Sequence, residues 1–219
     1  MKELTKGVMR FETEIYPQKK DFFDKLIARQ YPQALFVTCS DSRIVPSMIT
    51  DSEPGALFTI RNAGNIVPPY GDFMGGVSAT IEYAVMALAV KNIIVCGHTH
   101  CGAMAAAMHP ETILHMPIVK SWLNHAESAR RVVLGYENLT PKQQATVMVE
   151  ENVLAQLDHL RTHPSVASAL ALGEMDLYGW VFDIETGHVF SFDSEQGAFV
   201  PMSLEHLPSA TPKRRRRLL

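Results

Sequence analysis

The chain has 219 residues, 47% of them hydrophobic and 20% charged, with a formal net charge of −3. That is the make-up of a globular domain with its own core, and the slightly negative balance argues against a general nucleic-acid binder. The opening MKELTKGVMRFETEIYPQKK lacks the apolar stretch of a secretory signal, and no segment offers the about 18 apolar residues needed to cross a bilayer, so a soluble, cytoplasmic protein without membrane partners is expected.

Taken in chain order, the stretch from Pro17 to Gln30 reads as a helix of mixed charge. Ala34 to Thr38, Leu57 to Ile60 and Asn92 to Cys96 are short, continuous apolar runs. Runs of that kind suit parallel strands covered on both faces. Between the second and third, Val77, Ile81, Ala84 and Leu88 recur at helical spacing within Gly76 to Val90, which gives a βαβ rhythm. Thr140-Pro141-Lys142-Gln143 is a capping box with proline in the first turn. It opens a helix to about Arg161 with Val149, Val153, Leu157 and Leu160 on one face, and Pro164 lies just beyond. Asp176 to Ile184 and His188 to Asp193 read as strands joined at Glu185-Thr186-Gly187.

With no internal repeat and no dividing linker, residues 1–205 are expected to form one α/β domain with an N-terminal helical arm. Residues 206–219, which include Lys213 and Arg214 to Arg217, are expected to be a disordered basic tail.

Two segments directly after expected strands carry chemistry: Cys39-Ser40-Asp41-Ser42-Arg43, and Gly97-His98-Thr99-His100-Cys101-Gly102. In an open α/β sheet, ligands bind at the carboxyl ends of the strands. Three cysteines, an odd number, do not suit a disulfide framework, and thiols near a histidine in a reducing compartment read as metal ligands or reactive groups. Cys39, His98 and Cys101 form a ligand set suited to Zn²⁺, with the fourth position open as in a reactive site. Two thiolates cancel the ion's charge, so bound water is acidified less than in a cationic site, and an ionised Asp41 is needed to orient the hydroxide. A bidentate Arg43 would keep that carboxylate charged. Without Arg43, Asp41 is free to swing onto the metal.

Cys39-Ser-Asp-Ser-Arg-Ile-Val-Pro46, Arg61-Asn-Ala-Gly-Asn65, Glu82-Tyr-Ala-Val85 and Ile93-Ile-Val-Cys-Gly-His-Thr-His-Cys-Gly102 resemble the β-class carbonic anhydrases, in particular bacterial members. The resemblance implies a central, mostly parallel sheet, four parallel strands plus an antiparallel edge strand, flanked by helices. It also implies a homodimer or dimer of dimers with zinc near the interface. The implied reaction is reversible hydration of carbon dioxide to bicarbonate by zinc hydroxide, with Asp41 and Arg43 as the gating pair. By position, Gln30 would offer its amide to substrate, while Phe58, Ala63 and Tyr83 would line the pocket. Members regulated by a second bicarbonate site carry tryptophan where this chain has Phe36, which argues against such regulation. His100 reads as a surface or interface histidine with proton shuttling as the lesser alternative, and Cys96 as a buried thiol. Two other readings remain open: hydrolysis of a sulfur analogue, carbonyl sulfide or carbon disulfide, at the same site, or a non-catalytic zinc-stabilised interaction module.

Overall fold

The computed structural model describes residues 1–72 and 75–204, so the expected basic tail at 206–219 lies outside the described residues. The chain divides into two units, Met1–Tyr31 and a larger one beginning at Pro32.

The first unit is helical over more of its length than expected. It comprises α1 (Lys2–Arg10), a π-helical turn (Phe11–Ile15), α2 (Tyr16–Gln18) and α3 (Lys20–Ile27). The rings of Phe11, Tyr16, Phe22 and Phe23 cluster within it, with Tyr16 stacked on Phe23 at 5.2 Å. None of its helical residues is buried.

The larger unit runs β1 (Ala34–Cys39), α4 (Pro46–Ile49), β2 (Leu57–Asn62), α5 (Gly76–Met86), β3 (Asn92–His98), α6 (Gly102–Met108), α7 (Pro117–Leu123), α8 (Glu127–Gly135), α9 (Pro141–Leu160), α10 (Pro164–Leu172), β4 (Asp176–Phe182), β5 (Val189–Asp193) and β6 (Ala198–Pro201), with two 3₁₀ turns around α7. The six strands form one sheet in the order β2-β1-β3-β4-β5-β6. The first four are parallel and the last two antiparallel. The expected parallel core with an antiparallel edge is therefore present, and the edge continues by one further strand. β6 is four residues long, too short to register as a periodic run.

The end of α5 and the place of Pro164 differ from expectation for local reasons. Helix α5 stops at Met86, short of Val90, because Ala89 takes a left-handed φ of 53°. Pro164 does more than follow α9: it occupies the first turn of α10, where its missing N–H costs nothing. α10 then ends at Gly173, whose φ of 75° closes the helix.

The capping box at α9 forms as expected, with Gln143 N–H donating to Thr140 Oγ1 and Thr140 N–H donating to Gln143 Oε1. Val149, Val153, Leu157 and Leu160 are all buried, each contributing about 1.5–3 kcal/mol of transfer free energy. Their helix lies unusually close to the sheet. A Cβ at Gly97 would stand 2.9 Å from both Val149 and Val153, and one at Gly179 would stand 2.9 Å from Val153. The two missing side chains let α9 settle on β3 and β4. A smaller core on the opposite sheet face gathers Ala34, Phe36, Ile94 and Cys96, with Phe36 edge-on to Trp180 at 5.9 Å.

Candidate metal centre

The sheet order places β1 between β2 and β3. The chain leaves β1 to one side for β2, then crosses to the other side for β3, so a topological switch point lies between β1 and β3. Thr38 pairs with Cys96 across that boundary. Cys39 ends β1, His98 ends β3, and Cys101 caps the N-terminus of α6. All three are buried, and their ligand atoms lie within 4.8 Å of one another.

The Cys39 and Cys101 sulfurs are 3.9 Å apart. Their contact lowers the Cys39 pKa to about 4, helped by His98 and by N–H groups of Gly64 and Asp41. The same contact, together with burial, pushes the Cys101 thiol up, although first-turn N–H groups of Met104 and Ala103 favour its thiolate. The pair thus holds one proton readily, and a second negative charge requires a cation. His98 Nδ1 donates to the Thr99 carbonyl at 2.8 Å, which turns the Nε2 lone pair inward. That Nε2 is buried without a hydrogen-bond partner. An orphaned buried polar atom costs about 1–3 kcal/mol, and a metal ion removes that cost. Two sulfurs and one inward imidazole nitrogen fit a divalent soft-to-borderline ion.

Asp41 and Arg43 stand at the edge of this cluster. Asp41 Oδ2 is 3.9 Å from His98 Nε2. Arg43 Nε donates to Oδ1 at 2.9 Å, Nη2 to Oδ2 at 2.7 Å, and the Arg43 backbone N–H also donates to Oδ1, at 3.0 Å. This grip holds the Asp41 carboxyl far below the usual carboxylate range. Arg43 Nη2 also donates to the His100 carbonyl at 3.2 Å, tying the two loops together.

The remaining sequence candidates separate. Phe58 and Tyr83 meet, ring centroids 6.0 Å apart. Ala63 follows β2 and lines an apolar groove with Gly102 and Ala103 of α6. Gln30 lies in the first unit, exposed beyond the end of α3. The His100 side chain is exposed and bonds Glu185 at 2.7 Å. Cys96 is buried, its thiol pushed up to about 12 by desolvation, and it stands outside the ligand cluster.

Two contributors were missed by sequence reasoning. Arg61 donates to the carbonyls of Cys39 at 3.2 Å and Asp41 at 2.7 Å, bracing the segment that carries both. Gly64, at φ 80°, permits a close approach, since a Cβ there would stand 2.7 Å from Met104 Cε and 3.2 Å from Ala103 Cβ. Both belong to the Arg61–Asn65 segment, whose sequence was noticed only as part of the family pattern.

Fold and site together define an α/β protein with a Cys/His/Cys metal-binding cluster at the switch point of its sheet. The comparisons agree. The carbonic anhydrase family model matches residues 34–189. The carbonic anhydrase of Pseudomonas aeruginosa is 48% identical over 206 residues, covering 94% of this chain and 93% of that protein. The solved β-carbonic anhydrase CcaA superposes with a TM-score of 0.90 at 43% identity, covering 93% of this chain and 92% of its own. One of two tetrameric β-carbonic anhydrases from Sordaria macrospora gives 0.77 at 29% identity, covering 90% and 97%. The chain belongs to the carbonic anhydrase family, in its β class. No helix among the described residues is long and apolar enough to cross a membrane.

Proposed function

We propose that the chain catalyses the reversible hydration of carbon dioxide to bicarbonate, with zinc held by Cys39, His98 and Cys101. The observation that carries this reading is the convergence of those three ligand atoms within 4.8 Å, with the unpartnered His98 Nε2 facing the Asp41 carboxylate.

When bound, zinc supplies a Lewis acid that makes water a nucleophile near neutral pH. Asp41 accepts a hydrogen bond from the nucleophile and aims its lone pair at substrate, a gain in orientation rather than proton abstraction. Arg43 keeps Asp41 charged and fixes its direction through the paired contacts. Arg61 holds the backbone that carries Asp41. Phe58, Ala63 and Tyr83 provide apolar surface for carbon dioxide. His100, bonded to Glu185, acts outside the chemistry. The reading places the enzyme in the cytoplasm, where its three free thiols stay reduced.

The working assembly is a homodimer or a pair of dimers. Leu4, Val8, Met9, Phe11 and Ile15 of the first unit are all exposed on the single chain, apolar surface that a second copy would cover. Zinc content measured alongside stopped-flow hydration of carbon dioxide tests the function. A zinc-loaded protein without hydration activity would overturn it, and sulfide released from carbonyl sulfide or carbon disulfide in its place would redirect it. Cys39→Ala should lose metal and activity together.

A further inference from the structure

Apart from the metal cluster, the larger unit holds a second concave site. A cavity of about 500 Å³ opens between α9 and the β4, β5 and β6 strands, and none of Cys39, His98 and Cys101 lines it. That volume is within the range of pockets that take small organic molecules. Val181 of β4, Phe190 of β5 and Phe199 of β6 give it apolar walls, with Val181 and Phe190 paired across the two strands. Ala145 of α9 contributes only a methyl group, which leaves the space open.

Three carboxylates line this cavity against a single lysine, and two of the three are already engaged. Asp183 accepts from the Thr99 hydroxyl at 2.9 Å and from the Thr186 hydroxyl at 2.6 Å. Glu185 accepts from Lys142 Nζ at 3.1 Å and bonds His100 Nε2 at 2.7 Å. Lys142 is thus spent on Glu185 and stands largely in solvent. Glu150 differs: among the described residues no hydrogen bond or ion pair meets its carboxylate. It follows Lys142 and Thr146 by two turns and one turn of α9, so the helix period itself turns it to the same side. Partial burial, with the charge of neighbouring Glu151, pushes its carboxyl up. A partly desolvated carboxylate without a partner is stabilised by any counter-charge that arrives with a ligand.

We propose that this cavity is a binding site for a small organic cation with a flat apolar body, its amidinium or guanidinium group on Glu150 and its body among Val181, Phe190 and Phe199. A planar fork of N–H donors matches a carboxylate with two parallel hydrogen bonds, which a neutral ligand cannot supply. An anion would meet three carboxylates and one lysine that is already paired. The site uses none of the metal ligands, so it stands independently of the hydration reading.

Benzamidine is the probe, because it is protonated near neutral pH and then offers no lone pair to a metal ion. Benzamide carries the same ring without the charge. Titrated calorimetrically into the purified chain, benzamidinium should bind one to one in the millimolar range or tighter. Benzamide should bind about tenfold more weakly, the scale of one charge-assisted pair. Glu150→Gln, close in shape, should weaken benzamidinium about tenfold and leave benzamide unchanged. Ala145→Trp, which fills the cavity from α9, should weaken both. Melting temperatures serve as the folding control, and either variant decides the matter should the other fail to fold. No saturable binding, equal affinity for the two probes, or a variant that keeps the parent's affinity for benzamidinium would each overturn the site.

Discussion

Arg43 and Asp41 meet in a bidentate pair, Nε to Oδ1 at 2.9 Å and Nη2 to Oδ2 at 2.7 Å, with the carboxylate 3.9 Å from His98 Nε2. Planar guanidinium and planar carboxylate match in geometry, so the pair fixes direction as well as charge. Arg43 is half exposed and Asp41 much less so, which places the arginine as the outer member of the pair.

Removing the outer member should uncouple catalysis from metal binding. Arg43→Ala leaves all three ligands intact but frees Asp41 to rotate toward the metal and lifts its carboxyl back toward the ordinary range. We expect zinc content near the parent's and hydration reduced about 10–100-fold, the usual effect of removing a group that orients a metal site. Stopped-flow rates with metal analysis check this, and full rate in the variant would refute the gating role.

The three thiols should separate by reactivity in metal-free protein. Contact with Cys101 lowers the Cys39 thiol below its ordinary value, whereas Cys96 is pushed up to about 12 and buried. Only the thiolate is nucleophilic, so iodoacetamide should label Cys39 first and Cys96 last. Added zinc should protect Cys39. Peptide mapping by mass spectrometry reads the order, and equal labelling of Cys96 would contradict it.

Gly64→Ala tests the close approach directly. The methionine end can move aside, but the left-handed backbone remains strained for alanine, at a cost of about 1–3 kcal/mol. Chemical unfolding of the metal-free form should show that loss. An unchanged unfolding midpoint would argue against the strain.

Acid should destabilise the fold through its partly or fully buried histidines. Burial lowers the pKa values of His125, His159 and His163, although hydrogen bonds to Val67 and Pro68 partly oppose the shift in the last two. A histidine whose folded pKa is depressed binds its proton more readily when unfolded, where the pKa is about 6.5. Stability from these groups is therefore complete above that pH and declines as pH falls toward the folded values. Urea midpoints from pH 7.5 down to 5 should decrease, and His159→Gln should flatten the slope. A steeper decline in the variant would reverse the assigned sign.

Much of this molecule was legible along the chain. The runs at Ala34, Leu57 and Asn92 became β1, β2 and β3, and the Thr140 capping box opened α9. These follow from local rules, hydrophobic period and backbone capping, which neighbours in sequence enforce. The ligand types were equally plain, since Cys39, His98 and Cys101 sit immediately after apolar runs. β6 escaped because four residues carry too little pattern, and α10 because Pro164 reads equally as an end or a beginning.

What the linear order could not contain was convergence. Cys39 meets Cys101 because β1 pairs with β3, a choice made by packing among strands of similar composition. The Asn152–Gly64 bond depends on α9 settling close over Gly97 and Gly179, an approach decided by the shape of the whole core. Residue chemistry is local and was written in the amino acids themselves. Distance between remote side chains is a property of the packed chain, and only the tertiary structure set it.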